Sequence, residues 1–179
     1  MITIKRKVNF LIIGLMVSCN SANVDPKISK TNDCQKFYNQ DNIEFIPENK
    51  DAELIYLDFQ NKKNNIDIIF IKTSYGYSVT QQVKRLSLNN KKGVILKNGI
   101  ETEISESQIN NFLNKFDSKN LKNLTINCPS YSSKQTISTL IYKNNGHILF
   151  SFSSNFDIIK LANADDGVEE SFVKSFDKL

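Results

Sequence analysis

Residues 94–117 read VILKNGIETEISESQINNFLNKFD, and within this one stretch a hairpin runs straight into a helix. Two β-rich segments, 94–97 and 100–104, flank Asn98-Gly99. That pair accepts positive φ at both central positions of a type I′ turn, the strongest short-range hairpin signal. Ser105, with Gln108 three residues later, forms a capping box that satisfies orphan amides at a helix start. Ile109, Phe112, Leu113 and Phe116 then fall at i, i+3, i+4 and i+7, so a helix over 105–117 carries one apolar face. A face of that kind has to be buried, and the adjacent antiparallel strands offer the surface. Strands that fold back on themselves beneath a helix define an α+β arrangement.

Working outward, residues 66–72 (IDIIFIK) and 53–59 (ELIYLDF) are both rich in β-formers. The polar run 60–65 between them predicts two neighbouring antiparallel strands. Segment 77–88 is ambiguous, because Val79, Val83 and Leu86 suit helical spacing while Tyr77, Val79 and Val83 suit a strand face; a strand is the preferred reading. A second hairpin is predicted from 136–143 and 147–153 around Asn144-Asn145-Gly146, with Ile148, Phe150 and Phe152 alternating on one face. Residues 157–161 suit a short strand or a turn. Residues 169–178 form a closing helix with Phe172, Val173 and Phe176 on one side. Asp165, Asp166, Glu169 and Glu170 cluster near its start, where the helix dipole favours negative charge. The expected fold is α+β: an antiparallel β-sheet built from hairpins, with two α-helices packed on one face.

The chain begins MITIKRKVNFLIIGLMVSC. Lys5, Arg6 and Lys7 precede an apolar run over 8–17 broken only by Asn9 and Gly14. Positive charge, then a short apolar core, then small residues is the layout of a secretory signal. An uncleaved anchor is the other reading, but about 20 apolar residues are needed to cross the hydrocarbon core. Leu15-Met16-Val17-Ser18-Cys19 resembles the lipobox of bacterial lipoproteins. Ser18 and Cys19 match its most restrictive positions, while Met16 stands where leucine is usual. The resemblance implies a diacylglycerol on the Cys19 thiol and cleavage just before it. Residues 1–18 are then a signal peptide, 19–32 a lipidated tether without apolar periodicity, and 33–179 a single globular α+β domain. Two or more acyl chains give a stable membrane anchor where one gives only reversible binding. The implied location is the cell envelope, facing the periplasm or the cell surface. Asn20 rather than aspartate follows the cysteine, which leans toward an outer membrane where the host has one. An ordinary signal-peptidase cut near Ala22 would instead release a free protein.

Without residues 1–18 the chain keeps 20 basic and 19 acidic residues, a formal charge of +1, so the basic balance belongs mostly to the leader. Arg85 is then the remaining arginine, and no clustered Lys/Arg stripe suggests a nucleic-acid partner. Asn and Lys together make up about a quarter of the residues, a bias that makes short motifs easy to imitate. Three cysteines are an odd number for an exported chain. If Cys19 carries lipid, Cys34 and Cys128 remain as one pair for a disulfide in an oxidising compartment; two buried free thiols are the alternative.

Chemistry is harder to place. His147 is the single histidine, with no nucleophile or orienting carboxylate identifiable by spacing. A closed zinc site needs about four N or S ligands, which the chain does not supply. The 165–170 run lacks the ligand pattern of an EF-hand loop, and helix-start electrostatics accounts for it better. Ser171-x-x-Lys174 and Ser175-x-x-Lys178 match a β-lactamase-type motif, but its companion elements are absent. Tyr75, Tyr77 and Tyr131 suit either an aromatic partner surface or strand-end packing, and packing is the preferred reading. The expectation is a membrane-anchored, non-enzymatic binding or inhibitor module in the envelope, with no cofactor and no metal. An immunity protein against a periplasm-acting toxin would fit its size and placement. The alternative is an envelope hydrolase or glycan-binding lipoprotein using carboxylates such as Asp58, Asp67 or Glu103.

Overall fold

The structure is a computed structural model that describes residues 34–39, 45, 47–129, 135–160 and 166–179. The segment 1–33, and with it Cys19, lies outside the described residues, as do Tyr131 and Asp165.

The opening stretch folds as its residues dictate. Strands β4 (Lys92–Lys97) and β5 (Ile100–Ser105) pair antiparallel. Asn98 (φ 50°) and Gly99 (φ 80°) make the turn. Helix α2 (Glu106–Lys115) follows at once, with Ser105 as N-cap and the full capping box formed with Gln108. The helix sits close on the hairpin at Gly93. A Cβ there would collide with the Ile104 carbonyl oxygen and lie 2.7 Å from Ile109 Cδ1, so a glycine is what lets the helix approach.

Six further strands and two further helices complete the described fold. They are β1 (Gln35–Tyr38), β2 (Ile66–Tyr75), β3 (Thr80–Asn89), β6 (Leu124–Asn127), β7 (Gln135–Asn144) and β8 (His147–Ser154), with α1 (Lys50–Asn61) and α3 (Val168–Lys178). Counting β4 and β5 separately, the sheet has eight strands in the order β1-β6-β8-β7-β2-β3-β4-β5. The α+β class is as expected, and the central hairpins fall where the turn residues place them. Of the 157–161 segment, Ile158–Lys160 form a 3₁₀ turn, and residue 161 lies outside the described residues.

Three expectations are corrected. Residues 53–59 are not a strand beside β2 but the body of α1. Asn49 caps that helix, its side chain accepting from the Ala52 N–H at 2.9 Å. Ala52, Ile55, Tyr56 and Phe59 then lie on one helical face and pack against the sheet. Second, the sheet is not wholly antiparallel. Strand β6 runs parallel to β8, with Leu124 opposite Phe152, and carries β1 on its outer side. Third, the helices do not share one face. Helices α2 and α3 cover a core of Ile68, Phe70, Leu86, Leu140, Phe150 and Phe152. Helix α1 covers the opposite face over Ile69, Ile71, Val83 and Ile141.

A sheet buried on both faces explains the run of β2, whose first six residues are all buried instead of alternating. Helix α1 covers only the middle of its face. To either side the outer strands remain open, and the larger of these openings positions the candidate site.

Candidate functional site

Strand periodicity puts Asp67, Arg85 and Lys143 on the α1 face, at the centre of the sheet. All three are buried. Arg85 Nε donates to Asp67 Oδ1 at 2.8 Å and its Nη2 donates to Asp67 Oδ2 at 2.7 Å, a two-toothed carboxylate grip. Its Nη1 donates to Asp58 Oδ2 at 2.6 Å. Asn64 Nδ2 supplies Asp67 with a further hydrogen bond of 2.7 Å. Lys62, one turn beyond Asp58 on α1, closes the far end of the chain with an ion pair of 3.0 Å. Burial alone would work against the charge of Arg85. The hydrogen bonds and charges of Asp67, then of Asp58, outweigh it and hold the guanidinium above its ordinary value.

Lys143 neutralises a different partner. Its ammonium donates to the carbonyl oxygens of Phe59 (2.8 Å) and Gln60 (3.3 Å), at the C-terminal end of α1. It also lies 4.6 Å from the centre of the Phe59 ring. A cation at the negative end of a helix is favourable. Desolvation nevertheless pulls the lysine below its usual value.

Beside this network α1 and the β3–β4–β5 strands enclose an open groove of about 680 Å³. Arg85 and Asp58 lie at one side, with apolar Leu54, Ile55, Val94 and Leu96 around them, and Lys92 and Glu101 also line it. Leu54 is 56% exposed and Leu57 is 43% exposed, unusual for leucines on a helix packed on a sheet. A smaller groove of about 400 Å³ flanks the other side of the same face, beside Phe37 and Ile137. Its amides are already used: Asn155 donates to Asn127 Oδ1 and the Cys128 carbonyl, and accepts from the Cys128 N–H.

The candidate residues from the sequence distribute unevenly. Asp58 and Asp67 are brought to one guanidinium. Glu103 stands apart on β5, its side chain 82% exposed and 3.4 Å from Lys92. Cys34 and Cys128 form a disulfide that joins the start of β1 to the end of β6. His147 is exposed at the start of β8 opposite Asn144, with no side-chain hydrogen bond or ion pair among the described residues. Of the acidic run, Asp166 pairs with Lys174 at 2.7 Å, Glu170 pairs with Lys36, and Glu169 accepts from the Lys122 N–H. Among the described residues no group of three or more His, Cys, Asp or Glu could hold a metal ion. Tyr75 packs at the strand end, donating its hydroxyl to Glu48 at 2.7 Å. Tyr77 does not pack: it is fully exposed at the tip of the β2–β3 loop.

Arg85 was the functional-site residue that sequence reasoning passed over. Its phase with Val83 is the signal that marks it, on a strand face whose other residues, Gln81, Ser87 and Asn89, are polar.

Asp58 provides a check on the network. Burial would raise its carboxyl, but hydrogen bonds and charge from Arg85 and Lys62 together hold it below the ordinary value of 3.8. A depressed carboxyl contributes stability that is complete above that value and lost as pH falls through the lower folded value. The melting temperature of Asp58→Asn should therefore lie below that of the wild type at pH 7, and the gap should close in acid. The side chain is 42% exposed, so the gap is small. Paired thermal melts between pH 7 and pH 2 measure it.

Comparison with known protein families finds none that matches the chain, and comparison with curated proteins finds no relative.

Proposed function

We propose that this protein is a membrane-anchored envelope lipoprotein whose folded part is a non-enzymatic binding or inhibitor module for a protein partner, engaged through the groove between α1 and β4. An immunity protein is one role within that class. The observation that carries the binding reading is the exposure of Leu54, which lines the groove with Val94 and Leu96, beside a charge network that is already internally neutralised. Apolar residues rimmed by polar ones suit a partner surface. A catalytic acid, in contrast, needs a raised carboxyl, and Asp58 is shifted the other way. That weighs against an envelope hydrolase built on Asp58 and Asp67. The anchor is supported by the order of residues 1–19 and by the cysteine count. With Cys34 and Cys128 bonded to each other, Cys19 is the cysteine left over.

Two measurements test the reading. Cells expressing the full chain and fed a palmitate analogue should label the wild type and not Cys19→Ala; labelling that persists in the variant defeats the anchor. A photo-cross-linking residue at position 54 should yield one discrete adduct in native envelopes, and Leu96→Glu should abolish it. An adduct indifferent to Leu96→Glu removes the groove from the interaction.

A further inference from the structure

Among the described residues the sheet ends at β5, which has a strand neighbour on one side only. The turn at Asn98-Gly99 decides which of its main-chain groups face outward. A two-residue type I′ turn makes the flanking residues, here Lys97 and Ile100, a hydrogen-bonded pair. Bonded and non-bonded pairs alternate along an antiparallel ladder. Ile100, Thr102 and Ile104 therefore turn their N–H and C=O groups toward β4, while Glu101, Glu103 and Ser105 turn theirs outward. The Ser105 N–H is taken by Gln108 Oε1 at 3.1 Å. The outward groups of Glu101 and Glu103 are left without a protein partner among the described residues.

The side chains of the same two residues are acidic and stand on the groove face, opposite Leu96 and Val94 in register. Glu101 forms no ion pair among the described residues, and Glu103 meets only the exposed Lys92. On the other face of the strand Ile100 is 71% exposed. The opposite sheet edge differs: β1 has four residues, is fastened by the Cys34–Cys128 disulfide, and commits Lys36 to Glu170.

We propose that β5 is a strand-addition site for an extended segment of a partner protein, with Lys or Arg at alternate positions and apolar residues between them. Main-chain hydrogen bonds to Glu101 and Glu103 would supply affinity, and alternate side chains specificity. The residues opposite Glu101 and Glu103 lie on the groove face within reach of their carboxylates, which selects basic side chains there. The intervening residue lies beside Ile100 and Thr102, which suits an apolar one. A second copy of this chain is disfavoured as occupant: antiparallel self-pairing about Thr102 sets Glu101 against Glu103 twice, and like charges directly opposite are destabilising. The inference rests on the reading that this side of the protein binds a protein partner, and it specifies the segment bound.

The test uses the full chain in detergent micelles and a fluorescent peptide of alternating Lys and Val. Anisotropy should show binding that E101K/E103K weakens by about tenfold or more, two reversed charge pairs being enough for that factor. Hydrogen exchange should slow at the Glu101 and Glu103 amides and not at Thr102. A peptide of the same composition with Lys and Val in separate blocks should not bind. Equal binding of the block peptide, indifference to charge reversal, or no binding at all overturns the proposal. The position-54 cross-link separates this from the broader reading: an adduct that survives E101K/E103K leaves the groove as the interaction site and removes the strand edge from it.

Discussion

Asp67→Ala is expected to destabilise the protein by about 3–5 kcal/mol, because removing one partner of a buried ion pair leaves the other charge uncompensated. Asp67 is 1% exposed and accepts both teeth of the Arg85 guanidinium. It also stands directly opposite Lys143 in the β2–β7 register, and its charge favours that lysine's protonated form. Its loss strands two cations beneath α1. Asp58 holds only one corner of Arg85 and is half exposed, so it cannot replace the missing charge. For a chain of this size each kcal/mol moves Tm by about 2–4 °C, so calorimetry should register a fall of roughly 10 °C. The double replacement Asp67→Leu with Arg85→Met removes both charges together and should recover most of the loss, as hydrophobic replacement of whole buried pairs often does. If the double variant is as unstable as the sum of its parts, the pair is not coupled as described.

The elements that could be read from the residues are those whose signals are local. Asn98-Gly99, Asn145-Gly146 and the Ser105/Gln108 box each specify a conformation within four residues, and each stands where it was expected. Helix α3 was legible for the same reason, its apolar residues recurring at helical spacing. Helix α1 was not. ELIYLDF carries strand-forming side chains, while the features that make it helical, the Asn49 cap and Ala52 on the buried face, lie just before it. Strands β1 and β6 are four residues each and pair across a long separation, Gln35 with Asn127. Short segments of that kind carry little pattern of their own, and it is the partner that makes them strands. The network shows the same division. Asp58 and Asp67 were singled out as carboxylates, but one sits on a helix and the other on a strand. Only packing α1 on the sheet reveals that they share Arg85. Asp67 and Arg85 are also both buried, so each compensates a charge the other could not carry alone.

Reducing the disulfide should release β1 selectively before it lowers global stability. Cys34 and Cys128 are separated by 94 positions. The chain-entropy account gives about 4–5 kcal/mol for a loop of that length, an upper figure that residual structure reduces. A fall in Tm of roughly 10 °C in the Cys34→Ser/Cys128→Ser variant is the expected outcome. The local effect follows from how little else holds β1. All four of its residues are exposed, β6 is its only strand neighbour among the described residues, and its inward tie is the ion pair from Lys36 to Glu170. Glu170 is 2% exposed, and its Oε2 has no hydrogen-bond partner in the described structure. The Lys36 charge is therefore the main compensation for a buried carboxylate, and that carboxylate in turn holds the lysine above its ordinary value once burial is overcome. If the disulfide is what keeps Lys36 in place, the two features are energetically coupled. Lys36→Met should cost stability in the oxidised protein and much less in the double-serine variant, where β1 has already frayed. Thermal melts of the four combinations measure that coupling, and hydrogen exchange at the β1 amides locates it. Equal costs of Lys36→Met with and without the disulfide would mean that β1 stays docked on its strand pairing alone.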